Sequence, residues 1–178
     1  MISPVVLRRR LRAAARGRDV LPAATGNYLN LLTQLLMPRT VLFAGEDPQL
    51  LLHLLAGCEA QPWRYMLAVH GAAALPATVR GLATHGAVRL APQLSRSKRR
   101  LAVVDVRTVL LPETLLDCLA PGGLLWCYGV DVQRGLRARV TRWAVKRGWG
   151  WAYQPWGAGI ICAGPPGKPR RYAGGICR

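Results

Sequence analysis

Hydrophobic positions along the chain alternate between two spacings, one that suits a helix and one that suits a buried strand. In "GNYLNLLTQLLM", Tyr28, Leu31, Leu32, Leu35 and Leu36 recur at helical spacing, which predicts a helix over 26–37 that Pro38 closes. The apolar run at 40–44 predicts a strand. A helix follows from about Pro48 to Ala56, with Pro48 in its first turn and Glu46 and Asp47 near its positive end. "RYMLAVHG" (64–71) reads as a second strand, 75–84 as a helix, and "GAVRLA" (86–91) as a short strand. A basic loop, "SRSKRR" (95–100), then leads into "LAVVDVRTVL" (101–110), whose core is a buried strand. "LPETLLDCL" (111–119) is helical and breaks at "APGG" before the strand "LLWCYGV" (124–130). A helix over 133–147 precedes two final strands, "WGWAYQP" and "GAGIICAG", joined by a turn near Pro155–Gly157.

Strands that alternate with helices predict a three-layer, doubly wound α/β fold with a mostly parallel sheet and right-handed crossovers. The terminal strand–turn–strand adds an antiparallel pair at one edge. The α/β domain spans 26–164, between a basic N-terminal arm (1–25) and a basic, Pro/Gly-rich tail (165–178). No internal repeat is visible.

Composition narrows the picture. The chain has 178 residues, of which 51% are apolar, enough for one domain with a core. No apolar run approaches the ~18–20 residues of a spanning helix, so an integral membrane protein is not expected. The net charge is +17 with eight acidic residues. Only three of the basic residues are lysines, and one Phe beside abundant Ala, Leu and Gly suits a GC-rich coding sequence. Codon bias inflates arginine but does not account for the scarcity of acids. A polyanionic partner is expected: RNA, DNA or an anionic lipid surface.

The candidate residues for that partner fall in four places. Arg8, Arg9, Arg10 and Arg12 stand in an acid-free start that reads as a mitochondrial targeting segment or a retained basic arm; a cytoplasmic setting is the alternative. Arg96, Lys98, Arg99 and Arg100 form the basic loop. Arg139, Arg142 and Lys146 form a stripe beside the packing face of Leu136, Val140 and Trp143, and Arg170 and Arg171 lie in the tail. Trp149, Trp151, Tyr153 and Trp156 alternate near the last strands; alternate members are expected in the core, with outward ones free to stack on bases.

Five cysteines form no C-x-x-C pair, and several sit in apolar runs, which predicts buried thiols in a reduced compartment and neither zinc nor a disulfide framework. His53 reads as a core-edge residue, and His85 has no partner at metal-ligand spacing. Neither a G-x-S-x-G elbow nor a Walker loop is present.

Three stretches carry a resemblance. "LLDCLAPGGLLWCYGV" (115–130) resembles the helix–PGG–strand connection of class I S-adenosylmethionine-dependent methyltransferases. "KRGWGWAYQPWGAGIICAGP" resembles that family's closing strand pair, and "TVLFAGEDPQLL" sits where its first glycine motif belongs. The resemblance covers roughly 26–165. It implies a cofactor pocket at Gly45, Glu46, His70 and Arg107, in degenerate form. Gly45 alone matches the glycine-rich turn, while Glu46 and Asp47 add bulk and charge beside it. His70 stands where the family carries an acid that accepts both ribose hydroxyls, a task suited to an acceptor-only carboxylate. Gln93 is the best counterpart of an adenine-side acid, and "VVDVRTVL" is not an N/D-P-P-Y catalytic motif.

These departures imply no catalytic residue and no bound cofactor, with S-adenosylmethionine the cofactor if the pocket is functional; no metal is expected from the spacing of the histidines and cysteines. The expected function is a non-catalytic, methyltransferase-like subunit of a larger assembly, either a ribonucleoprotein such as a mitochondrial ribosome or a respiratory complex. Two alternatives stand beside it: an active S-adenosylmethionine-dependent methyltransferase acting on RNA, and a free-standing nucleic-acid-binding protein.

Overall fold

A computed structural model describes residues 23–71, 86–90, 98–108, 118–131, 135–154 and 159–164. The expected helix at 75–84, most of that at 111–119, residues 1–22 of the N-terminal arm, the tail and Trp156 lie outside the described residues.

Helix α1 (Ala23–Leu36) starts earlier than its apolar spacing indicates, because Ala23 and Ala24 are strong helix formers and Thr25 is buried. It ends as Met37 adopts a positive φ of 43° ahead of Pro38, whose ring disfavours a helical predecessor. Strand β1 (Thr40–Ala44) runs into helix α2 (Pro48–Glu59). Asp47 caps that helix, its Oδ1 accepting from the backbone N–H groups of Gln49 (2.9 Å) and Leu50 (3.2 Å). The chain continues through β2 (Met66–His70), β3 (Ala87–Leu90), β4 (Arg99–Asp105), β5 (Leu119–Tyr128), α3 (Leu136–Lys146), β6 (Gly150–Gln154) and β7 (Gly159–Ala163).

The seven strands form one sheet in the order β3-β2-β1-β4-β5-β7-β6. Pairing is parallel from β3 to β5 and antiparallel for β5–β7 and β7–β6. This is the doubly wound, mostly parallel sheet with a terminal antiparallel pair that the sequence predicts. Both faces of the sheet are covered, so its inner strands are apolar throughout. Val41 and Phe43 join Leu29, Leu50 and Leu54 in one core layer, while Leu42 and Ala44 join Leu136, Val140 and Trp143 in the other.

Two local expectations need correction. Strand β5 begins at Leu119, not at 124: Leu119 pairs with Arg99 and Leu124 with Leu101, so "APGG" is looped out within the strand. Gly122 has φ of 66°, and a Cβ on Gly123 would lie 2.7 Å from the Ala120 carbonyl oxygen and 2.9 Å from that of Arg99. The glycine pair therefore shapes a bulge in the ladder. The second correction concerns the aromatics. Trp149, just before β6, and Tyr153 within it are half-buried and pack against the core layer beneath α3, as alternate members are expected to, but Trp151 between them is 46% exposed and neither neighbour is fully buried.

A candidate site in the crevice between β1 and β4

Strand order reverses between β1 and β4, and the crevice at the carboxyl ends of such strands is where open α/β sheets bind ligands. Parallel pairing sets Ala44 beside both His70 of β2 and Val104 of β4. The turns after β1 and β4 therefore meet, and Glu46, Asp47, Pro48, Gln49, Asp105, Arg107 and Thr108 line a cavity of about 300 Å³.

Arg107 crosses this crevice. Its Nη2 donates to Asp47 Oδ2 and to Asp105 Oδ2, both at 2.8 Å, and its Nε donates to Asp105 Oδ1 at 2.9 Å. The Arg107 backbone N–H adds a bond to Asp105 Oδ1 at 3.1 Å, and the guanidinium lies 4.5 Å from the centroid of the Tyr128 ring. Asp105 is completely buried, so a charged partner is needed to hold its carboxylate there. The hydrogen bonds to Asp105 raise the Arg107 pKa, outweighing the lowering effect of its burial, so the guanidinium remains charged.

Glycine appears where this cluster needs room. A Cβ on Gly45 would stand 2.7 Å from Asp105 Cβ, and one on Gly129, at φ of 78°, would stand 2.6 Å from Arg107 Cγ. The turn amides are engaged as well. Gly45 N–H donates to the His70 carbonyl at 3.0 Å, Glu46 N–H to Thr108 Oγ1 at 3.3 Å, and those of Gln49 and Leu50 to Asp47.

No protein-family model matches the chain, and no curated protein matches its sequence. Solved structures do match. A methyltransferase from Geobacter sulfurreducens superposes with a TM-score of 0.68 at 14% identity, over 94% of this chain and 91% of that one. An O-methyltransferase of tomaymycin synthesis from Streptomyces achromogenes, solved with S-adenosylmethionine, gives 0.57 at 15% identity over 90% of each chain. An O-methyltransferase from Bacillus cereus, solved with SAH, gives 0.52 at 14%, over 92% of this chain and 91% of that one. The chain has the class I methyltransferase fold.

The residues of this crevice depart from the S-adenosylmethionine pocket that the resemblance implies. The turn after β1 has one glycine, and that glycine packs against Asp105. The Gly45 and Glu46 amides already have protein partners, and His70, half-buried at the end of β2, stands where the resemblance places a ribose-binding acid. Of the four candidate pocket residues, Glu46 and Arg107 line the cavity, while Gly45 and His70 meet beside it through the 3.0 Å backbone bond; the Arg107 side chain is bound to carboxylates across the crevice.

Asp47, Asp105 and Thr108 were not identified as site residues from sequence. The spacing of Asp105 and Arg107 was the available signal. Among the expected polyanion-binding residues, Lys98, Arg100, Arg139, Arg142 and Lys146 are exposed. Arg99 is not a surface residue: it is 7% exposed in β4, its Nη1 donates to Met66 Sδ at 3.9 Å, and burial lowers its pKa. The remaining ones lie outside the described residues. Among those described, no cluster of metal-ligating side chains forms and no helix is long and apolar enough to cross a membrane.

Proposed function

We propose that this chain uses the methyltransferase fold without its chemistry, as a non-catalytic component of a larger ribonucleoprotein or other polyanionic assembly. The observation that carries the reading is the Arg107 bridge from Asp105 to Asp47 across the switch-point crevice. A ligand reaching the turn after β1 would have to displace charge-assisted hydrogen bonds and uncover a buried carboxylate. The net charge of +17 supplies the attraction to a polyanion, and the arginine-rich start suits a mitochondrial ribosome or respiratory complex.

A second reading, an active S-adenosylmethionine-dependent methyltransferase, draws on the cavity of about 300 Å³ at the same crevice. Titration calorimetry of the full chain with S-adenosylmethionine separates the two. The proposed function predicts no saturable heat. Micromolar binding that is lost in His70→Ala overturns the first reading, and transfer of labelled methyl to RNA or protein then establishes the second.

A further inference from the structure

Strand β6 is the outer strand of the sheet at the end opposite β3. Trp151 and Tyr153 stand on one of its faces, a two-residue step of roughly 6.6 Å along the strand, and Trp149 immediately precedes it. Trp151 lies opposite Cys162 and Tyr153 opposite Ile160, both members of the core layer beneath α3. The rings therefore emerge beside that helix. Trp151 is 46% exposed, and its neighbours are half-buried. An exposed Trp on an edge strand is an apolar surface that a partner covers favourably.

Helix α3 supplies the matching charge. It carries Arg137, Arg139, Arg142 and Lys146, all exposed, and no acidic residue. The Arg137 guanidinium lies 3.9 Å from the centroid of the Tyr153 ring, on the flank of α3 that faces β6, whereas Arg139, Arg142 and Lys146 lie on the other flank of the packing stripe, so a ligand strand that leaves Trp151 reaches them by crossing the helix. The nearby Asp131 carboxylate accepts a hydrogen bond from the Tyr153 hydroxyl.

We infer that the β6 edge and α3 bind single-stranded nucleic acid, with a base stacked on Trp151 and phosphates met by the helix's basic side chains. Planar bases joined by regularly spaced negative charges match both features together. An anionic lipid matches the charge but offers no ring to Trp151. An added peptide strand matches the edge but leaves the basic helix without a partner. The inference goes beyond the reading of the crevice and holds whether or not a cofactor binds there.

The test is fluorescence anisotropy of the full chain with labelled oligouridylate, oligodeoxythymidylate and an abasic polymer of equal length, over a salt series. Both base-bearing strands should bind more tightly than the abasic one. Trp151→Ala should weaken their binding by about fivefold to a hundredfold, the range for one lost base stack, while Trp151→Phe retains most of it. Arg142→Ala should reduce the slope of log affinity against log salt by ~0.7, the value for one single-strand phosphate contact. A preference between the two strands assigns RNA or DNA as the source. Equal binding of the abasic polymer, or an unchanged affinity in Trp151→Ala with its fold intact by circular dichroism, overturns the inference. So does equally sensitive binding to cardiolipin vesicles. Calorimetry with S-adenosylmethionine on the same sample tests the crevice separately.

Discussion

Removing the Arg107 side chain is the most direct perturbation of the crevice. Arg107→Ala deletes two of the three hydrogen bonds that Asp105 receives from this residue, leaving the backbone N–H at 3.1 Å. It also deletes the bond to Asp47 and the contact with the Tyr128 ring. A wholly buried carboxylate that loses its cation destabilises a protein by about 3–5 kcal/mol. In a domain of this size that lowers Tm by roughly 6–20 °C. Arg107→Lys keeps the charge but loses the two-pronged geometry, so about half of that loss is expected. Asp47→Asn retains an oxygen to cap α2 while losing the carboxylate, and isolates the Asp47 pair at about 1 kcal/mol. Urea denaturation of the single and double variants gives their coupling energy. If Arg107→Ala costs less than about 1 kcal/mol, Asp105 reaches solvent readily, and the pair does not close the crevice.

Two further predictions concern the fold. Gly123→Val should destabilise by about 1–3 kcal/mol, because its Cβ meets two carbonyl oxygens; Gly122→Ala should cost about 1 kcal/mol through its positive φ. Unchanged melting of both would refute the bulge. Burial raises the Cys58 pKa from 9.0 to about 12 and that of Cys162 to about 11. Their contribution to stability is therefore complete below the unfolded value and lost as pH rises through 9 toward 12. Urea midpoints should fall between about pH 8 and pH 10.5, with a smaller fall in Cys58→Ala, and the thiols should resist labelling until the chain unfolds.

The fold was legible because its strands are buried on both faces and read as unbroken apolar runs, as in "TVLFA" and "LAVV". Pro48 and Asp47 marked the start of α2 through local chemistry alone. The crevice was only half legible. Asp105 and Arg107 are two residues apart, but Asp47 is 60 residues from Arg107, and only the β1–β4 register makes them neighbours. Arg99 was misplaced for a related reason. A run of basic residues reads as a solvated loop, whereas pairing with β5 draws Arg99 into the ladder, where it is buried. The aromatic row reads as an alternation of core and outward rings, and Trp149 and Tyr153 do pack on the core, but the row lies at an edge strand with no further strand beyond it among the described residues, which leaves Trp151 exposed.

The chain's few acids explain why the charge on α3 reaches the surface. Asp47 and Asp105 hold Arg107, Glu59 accepts from Tyr65, and Asp131 accepts from Tyr153. These carboxylates serve internal contacts, and α3 has none of its own. Arg142 follows Arg139 by three residues and precedes Lys146 by four, so both pairs repel, each by about 0.2–0.5 kcal/mol. Arg142→Glu converts both repulsions to attractions, with a Glu placed favourably four residues before Lys146. The free protein should gain about 1 kcal/mol of stability. If the helix binds phosphates, the same variant should lose affinity for single-stranded nucleic acid, so stability and binding move in opposite directions. Thermal melting and anisotropy on one sample check this. A variant that is more stable but binds equally well would make α3 a solvated face, with its arginines set by composition alone.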